Sequence, residues 1–151
     1  MSISNSLWTA FADRLAEHGE RTALITTERR VSFGQVAHEA EQLAGRLAEL
    51  GVQAGDVLGL ALPNRPSLIP ACLALCKLDT TVALVSTKYR QQELQAIVRH
   101  TGLRGFLCTA EDARRLAELL ELSSPITHPL DNNDDIVALM LEATSVALPE
   151  P

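Results

Sequence analysis

Residues 43–64 read LAGRLAELGVQAGDVLGLALPN, and their pattern changes period halfway. Up to residue 50 the apolar positions Leu43, Ala44, Leu47 and Leu50 recur at helical spacing. Gly51 is then the residue that ends helices most readily, because it enters the left-handed region without steric cost. Gly55-Asp56 makes a turn, residues 56–62 form an apolar run of strand length, and Pro63-Asn64 breaks it. Gly59, inside that run, marks a place where a neighbouring backbone approaches closely. Amphipathic helix, tight turn and buried strand together point to an α/β fold.

Upstream, the helix extends back through Ala40 and Val36 to a marked start. Ser32 and Gln35 have capping-box spacing, and Val31 and Val36 sit where a hydrophobic staple pairs across the cap. Residues 23–27 read as a short strand, 28–30 as a turn, and a second short strand ends near Phe33. Residues 5–17 read as a first helix, with Leu7, Trp8, Phe11 and Leu15 turned inward. Downstream, a helix runs to Lys77. Its start is either Asn64, with a kink at Pro70, or Ser67, with Pro70 held in the first turn.

Residues 81–85 read as a strand, 91–101 as a helix packing Leu94, Ile97 and Val98, and 104–108 as a strand. Thr109 and Asp112 cap a helix that buries Ala113, Leu116, Ala117 and Leu120. Residues 126–130 are a weak strand, and 134–143 a last helix. Strands separated by helices imply parallel pairing through right-handed crossovers. The expected architecture is a mostly parallel sheet with helices on both faces. It fills one domain over residues 1–145, with 146–151 as the start of a linker.

Composition narrows the partners. The chain of 151 residues carries a net charge of -6, and its arginine doublets 29–30 and 114–115 are isolated. Nucleic acid is therefore not expected as a partner, because phosphate binding needs clustered cations. The most apolar window, 57–76, holds Asn64, Arg65 and prolines, which excludes a membrane-spanning helix. No signal-peptide pattern is visible. The three cysteines do not form an even disulfide framework. Cys72 and Cys76, four apart, share one helix face and read as buried thiols of a reducing cytoplasm.

Three stretches in order resemble the N-terminal subdomain of the adenylate-forming (AMP-binding) ligases, of the acyl-CoA synthetase or fatty-acyl-AMP ligase type. RTALITTERRVSFGQV, 21–36, is similar to the family's strand, turn and Thr-Tyr-x-Glu-Leu helix start, with Ser32, Phe33, Gln35 and Val36 in those places. Residues 43–64 follow the family's helix, Gly-Val, Gly-Asp, apolar strand and Asn, the last being Asn64. KYRQQELQAIVRHTGLRGFLC, 88–108, resembles the stretch in which a Glu-Leu pair opens the next helix. The resemblance spans roughly residues 7–130. It lapses where the family has Lys-x-Gly-Ala and then Val-Pro-Leu. Here Asp79 stands at the Gly and Leu84 at the Pro, so a different loop path is expected.

The resemblance implies a fold, and for the full-length enzyme an activity. That activity is ATP- and magnesium-dependent conversion of a carboxylic acid to an acyl-adenylate, followed by a thioester to CoA or a carrier protein. The family's phosphate loop, a Ser/Thr/Gly-rich segment ending in Pro-Lys-Gly, does not occur in these residues. The chain is thus expected to be scaffold. It holds no catalytic, cofactor-binding or metal residue of its own, is inactive alone, and has the rest of the ligase chain as its partner. Such a scaffold should expose an apolar face or strand edge and self-associate.

Ligands of open parallel sheets gather outside the carboxyl ends of the strands. Asn64, Lys88 and Tyr89 are accordingly the residues expected to line a substrate path. The dispersed histidines suggest no site. Asp131-x-Asn133-x-Asp135 with Glu142 imitates a calcium loop, but Ile136 replaces the required Gly, and the aspartates read as helix caps. A free-standing, non-catalytic α/β binding module is the alternative. A receiver- or flavodoxin-like domain fits worse, because the strand ends offer hydroxyls and amides rather than an acidic cluster.

Overall fold

The structure, a computed structural model, describes residues 3–130 and 136–141. The chain divides into two compact units, one running through Gly55 with Asn64–Thr81, the other comprising Asp56–Pro63 and the residues from Val82 onward.

The first unit begins with helix α1 (Ile3–Ala12) and the short helix α2 (Leu15–His18). The single helix expected over 5–17 is broken because the Arg14 amide bonds the Phe11 carbonyl, three residues back, at 3.1 Å. That 3₁₀ step tightens the turn and interrupts the α ladder. Leu7, expected inside, is 51% exposed. Trp8 and Phe11 pack inward instead, with ring centroids 5.8 Å apart.

Strands β1 (Thr22–Ile25) and β2 (Arg30–Ser32) pair antiparallel as a hairpin. Thr26 closes its turn, accepting at Oγ1 from the amides of Glu28 and Arg29. Helix α3 (Phe33–Glu49) starts on the expected capping box. The Gln35 amide donates to Ser32 Oγ at 3.1 Å, and the Ser32 amide donates to Gln35 Oε1 at 2.8 Å. Val31 and Val36, the staple pair, lie in one buried cluster with Ala40 and Leu73. At the other end the Gly51 amide bonds Ala48 O and the Val52 amide bonds Leu47 O. With Gly51 at φ 89° this is a Schellman stop.

Helix α4 (Leu68–Lys77) begins after Ser67, the second of the two expected starts, although the Ser67 side chain makes no capping bond. Pro70 sits in the first turn, where its missing N–H costs nothing. The helix ends like α3, with Asp79 bonding Cys76 O and Thr80 bonding Leu75 O. Asp79 takes φ 59°, a conformation that favours glycine.

The second unit is built on a five-stranded sheet, in which β3 is Val57–Ala61, β4 Thr81–Leu84, β5 Gly105–Thr109, β6 Thr127–Pro129 and β7 Ile136–Met140. The strand order is β4-β3-β5-β7-β6. Strands β3 and β5 are parallel, while β7 runs antiparallel to both β5 and β6. The fold class is α/β as expected, but the sheet is mixed rather than mostly parallel. A short connection from β6 to β7 cannot make the crossover that parallel pairing needs.

The expected helix over 134–143 is therefore wrong, since residues 136–140 are strand β7. Ile136, Val137, Ala138 and Leu139 are buried consecutively, whereas a helix would have buried only one stripe. The acidic residues 131–135, read as helix caps, lie outside the described residues, and no helix follows for them to cap. The linker expected over 146–151 also lies outside them.

Helices α5 (Gln91–Thr101) and α6 (Ala110–Leu119) complete this unit. Thr109 caps α6, accepting from the Asp112 amide at 3.1 Å. Leu94, Val98, Leu116 and Leu120 pack with Phe106, Cys108, Val137 and Leu139 from one sheet face. What comes close to Gly59 is a ring rather than the expected backbone, for a Cβ there would stand 2.6 Å from Phe106 Cδ1. The close backbone approach is at Gly105, where a Cβ would meet Leu139 O at 2.8 Å. Asp56 and Arg104, at the starts of β3 and β5, are joined by a 2.6 Å ion pair. Among the described residues, no helix is long and apolar enough to cross a membrane.

Candidate functional site

The carboxyl end of β4 carries a polar turn, and that of β5 the cap of α6. After β4 the chain turns at residues 86–89. Ser86 Oγ accepts from the Lys88 amide at 3.2 Å, and the Tyr89 amide reaches Ser86 O at 3.4 Å. This hydroxyl-bonded turn leaves Lys88 exposed and Tyr89 partly buried, its ring packed on the sheet core. Arg115 of α6 donates from Nη2 to the Tyr89 carbonyl at 3.3 Å, holding the turn beside the first turns of that helix.

Beneath Thr109, Cys108 is fully buried. Burial pushes its thiol up to about 12, and the charge of Asp112 adds to the rise. A thiol so strongly protonated is a packing group rather than a nucleophile.

Of the three residues expected to line a substrate path, the structure brings Lys88 and Tyr89 together in one turn. Asn64 is exposed and belongs to the other compact unit. Arg115 was read in sequence only as part of a solvated doublet. No sequence signal links it to Tyr89, because that bond spans 26 residues and ends on a backbone oxygen. Chemically, an exposed ammonium next to a phenol can hold or guide an anion. Among the described residues, no three His, Cys, Asp or Glu side chains gather to hold a metal ion.

The recesses lie elsewhere. A groove of about 440 Å³ is lined by Arg29, Ser32, Gln35, His38 and Gln42 at the start of α3. A second, of about 260 Å³, lies between Leu122 and Met140. Neither includes Asn64, Lys88 or Tyr89 among its lining residues.

Comparison with known proteins gives this framework a context. The sequence model of a family described as "AMP-binding enzyme" matches residues 11–149. The chain is 33% identical over 147 residues to the medium/long-chain-fatty-acid–CoA ligase FadD6 of Mycobacterium tuberculosis, covering 82% of this chain and 24% of that protein. It is 26% identical over 126 residues to triostin synthetase I of Streptomyces triostinicus, covering 81% of this chain and 23% of that one. Among solved structures, the anthranilate CoA ligase AuaEII bound to anthranoyl-AMP superposes with a TM-score of 0.68 at 25% identity. That match covers 76% of this chain and 22% of AuaEII. The chain spans about a fifth of the length of the curated relatives it matches.

Proposed function

Because this chain belongs to the AMP-binding enzyme family, we propose that it is the N-terminal scaffold of a ligase that activates a carboxylic acid with ATP. The acid becomes an acyl-adenylate and then a thioester to CoA or to a carrier protein. One observation carries this reading. The family match takes in nearly all of the chain, yet only about a fifth of the relatives' length. On this reading the relatives' chemistry lies mostly outside these residues, and the chain alone is inactive.

Two names support the thioester step, a fatty-acid–CoA ligase and an anthranilate CoA ligase. ATP and magnesium are the reagents of that reaction. On this reading the groups that bind them belong to the rest of the ligase chain, since the sequence here lacks a Ser/Thr/Gly-rich loop ending in Pro-Lys-Gly. No step through either is assigned to this chain. Its own contribution is to hold Lys88 and Tyr89 at the strand ends, where they line the path of an acidic substrate. Free thiols suit a reducing cytoplasm as the place of action. Self-association belongs to the same reading, on the exposed Leu84 of edge strand β4.

A free-standing, non-catalytic α/β binding module is the second reading, favoured by the closed core of the second unit. Calorimetric titration of the purified chain with ATP and magnesium tests the scaffold reading. Heats no larger than dilution are expected, and saturable binding in the micromolar range would overturn it. Reading the gene past Pro151 separates the two. An open frame entering a Ser/Thr/Gly-rich loop supports the scaffold, and a stop codon supports the module.

A further inference from the structure

Helix α4 carries two free cysteines, Cys72 and Cys76, one turn apart. Side chains at i and i+4 leave a helix on the same face, with Cβ atoms about 5–6 Å apart. The two thiols are near enough for Cys72 to disfavour the charged form of Cys76. Cys76 is 4% exposed and Cys72 half-buried. Ile69, one turn before Cys72 on the same stripe, is 45% exposed, so the stripe opens to solvent at its N-terminal end. Burial first, and Cys72 second, push the Cys76 thiol up to about 11, which makes its thiolate a strong donor once formed.

What can occupy such a pair follows from its geometry. A disulfide needs Cβ atoms about 3.5–4.5 Å apart, closer than a regular helical turn allows. Zinc takes four ligands, and no group of three His, Cys, Asp or Glu gathers among the described residues. Thiolates select soft centres. The remaining class is a soft centre satisfied by two sulfurs, whose two longer bonds span the gap that a direct S–S bond does not.

We propose that Cys72 and Cys76 form a two-thiol site for trivalent arsenicals, bridged as S–As–S across one turn of α4. An organoarsenic(III) dihydroxide exchanges both hydroxyls for the two sulfurs. Each hydroxyl leaves as water with one thiol proton, and arsenic stays trivalent, so no oxidant or reductant is needed.

Titration of the reduced chain with phenylarsine oxide, read by intact mass and by counting free thiols, tests the site. One adduct per chain masking a pair of thiols is expected, removed by 2,3-dimercaptopropanol but not by a monothiol. Chelation raises affinity by about a hundredfold or more over a single contact. Cys72→Ser and Cys76→Ala should each lose that factor, and Cys108→Ala should lose none of it. Cys72→Ser decides alone if Cys76→Ala unfolds, because its site is half-buried. No adduct, an adduct masking one thiol, or undiminished binding by Cys72→Ser would overturn the site.

Discussion

Ser32 shows how much structure one hydroxyl fixes. Its oxygen satisfies an amide that helix geometry leaves free, and Gln35 returns the bond to the Ser32 amide. Ser32→Ala should cost about 1 kcal/mol, read as a lower urea midpoint at unchanged slope. An unchanged midpoint would mean that the cap contributes nothing. The opposite ends of helices hold a second lesson. Glu121 ends α6 at φ 56°, its amide bonding Glu118 O and the Leu122 amide bonding Ala117 O, the same stop that Gly51 makes for α3. Left-handed backbone costs a residue with a Cβ about 1–2 kcal/mol, less for Asp, whose short side chain tolerates it. Glu121→Gly should therefore raise stability by about 0.5–1 kcal/mol, after the entropy that glycine adds to the unfolded chain. Asp79→Gly, at φ 59°, should gain less. Thermal melts of both variants check the order, and a loss in Glu121→Gly would contradict it. Gly51 was legible in the sequence as a helix stop, whereas Glu121 was not, because nothing in a glutamate announces a positive φ.

At the scale of elements, the close fit of β3 against β5 rests on a missing side chain. Gly59 lies opposite Phe106 in the parallel register, and the ring fills the space a Cβ would take. Gly59→Ala should cost about 1–3 kcal/mol as overpacking, and Phe106→Leu in the same chain should return part of it. A double-mutant cycle in urea reads this as a coupling energy, and strict additivity would contradict the contact. The sequence marked Gly59 as a close approach but named a backbone where a ring stands, since a strand's partner and register are set by tertiary pairing. Strand β7 eluded sequence reading for a related reason. Ile136-Val137-Ala138-Leu139-Met140 is apolar without a period, and such a run reads as helix or strand until burial on both faces decides. Helices α3, α5 and α6, with clear amphipathic stripes and start signals, were legible nearly to their ends.

For the whole molecule, the buried thiols give a pH signature. Cys108 rises from an ordinary 9.0 to about 12 and Cys76 to about 11, both chiefly through burial. Between those values the folded chain keeps protons that the unfolded chain has released, so stability falls as pH rises. The contribution of Cys108 is fully present below pH 9.0 and is lost progressively toward pH 12. Urea midpoints at about pH 8 and about pH 10.5 should converge in Cys108→Ala relative to the parent, even though the smaller side chain lowers stability at both. Equal slopes would show that Cys108 titrates normally. The α/β class and the family were legible because ordered turns, caps and strand breaks are local. Of the candidate site, the sequence named Lys88 and Tyr89 as chain neighbours but could not foresee Arg115, which reaches the Tyr89 carbonyl from 26 residues away. The central claim, that this chain is scaffold for adenylation without its chemistry, is tested most directly by carboxylate-dependent exchange of labelled pyrophosphate into ATP. The purified chain should show no exchange above a protein-free blank across a panel of fatty and aryl acids. Exchange that rises with chain concentration for any one acid would contradict it.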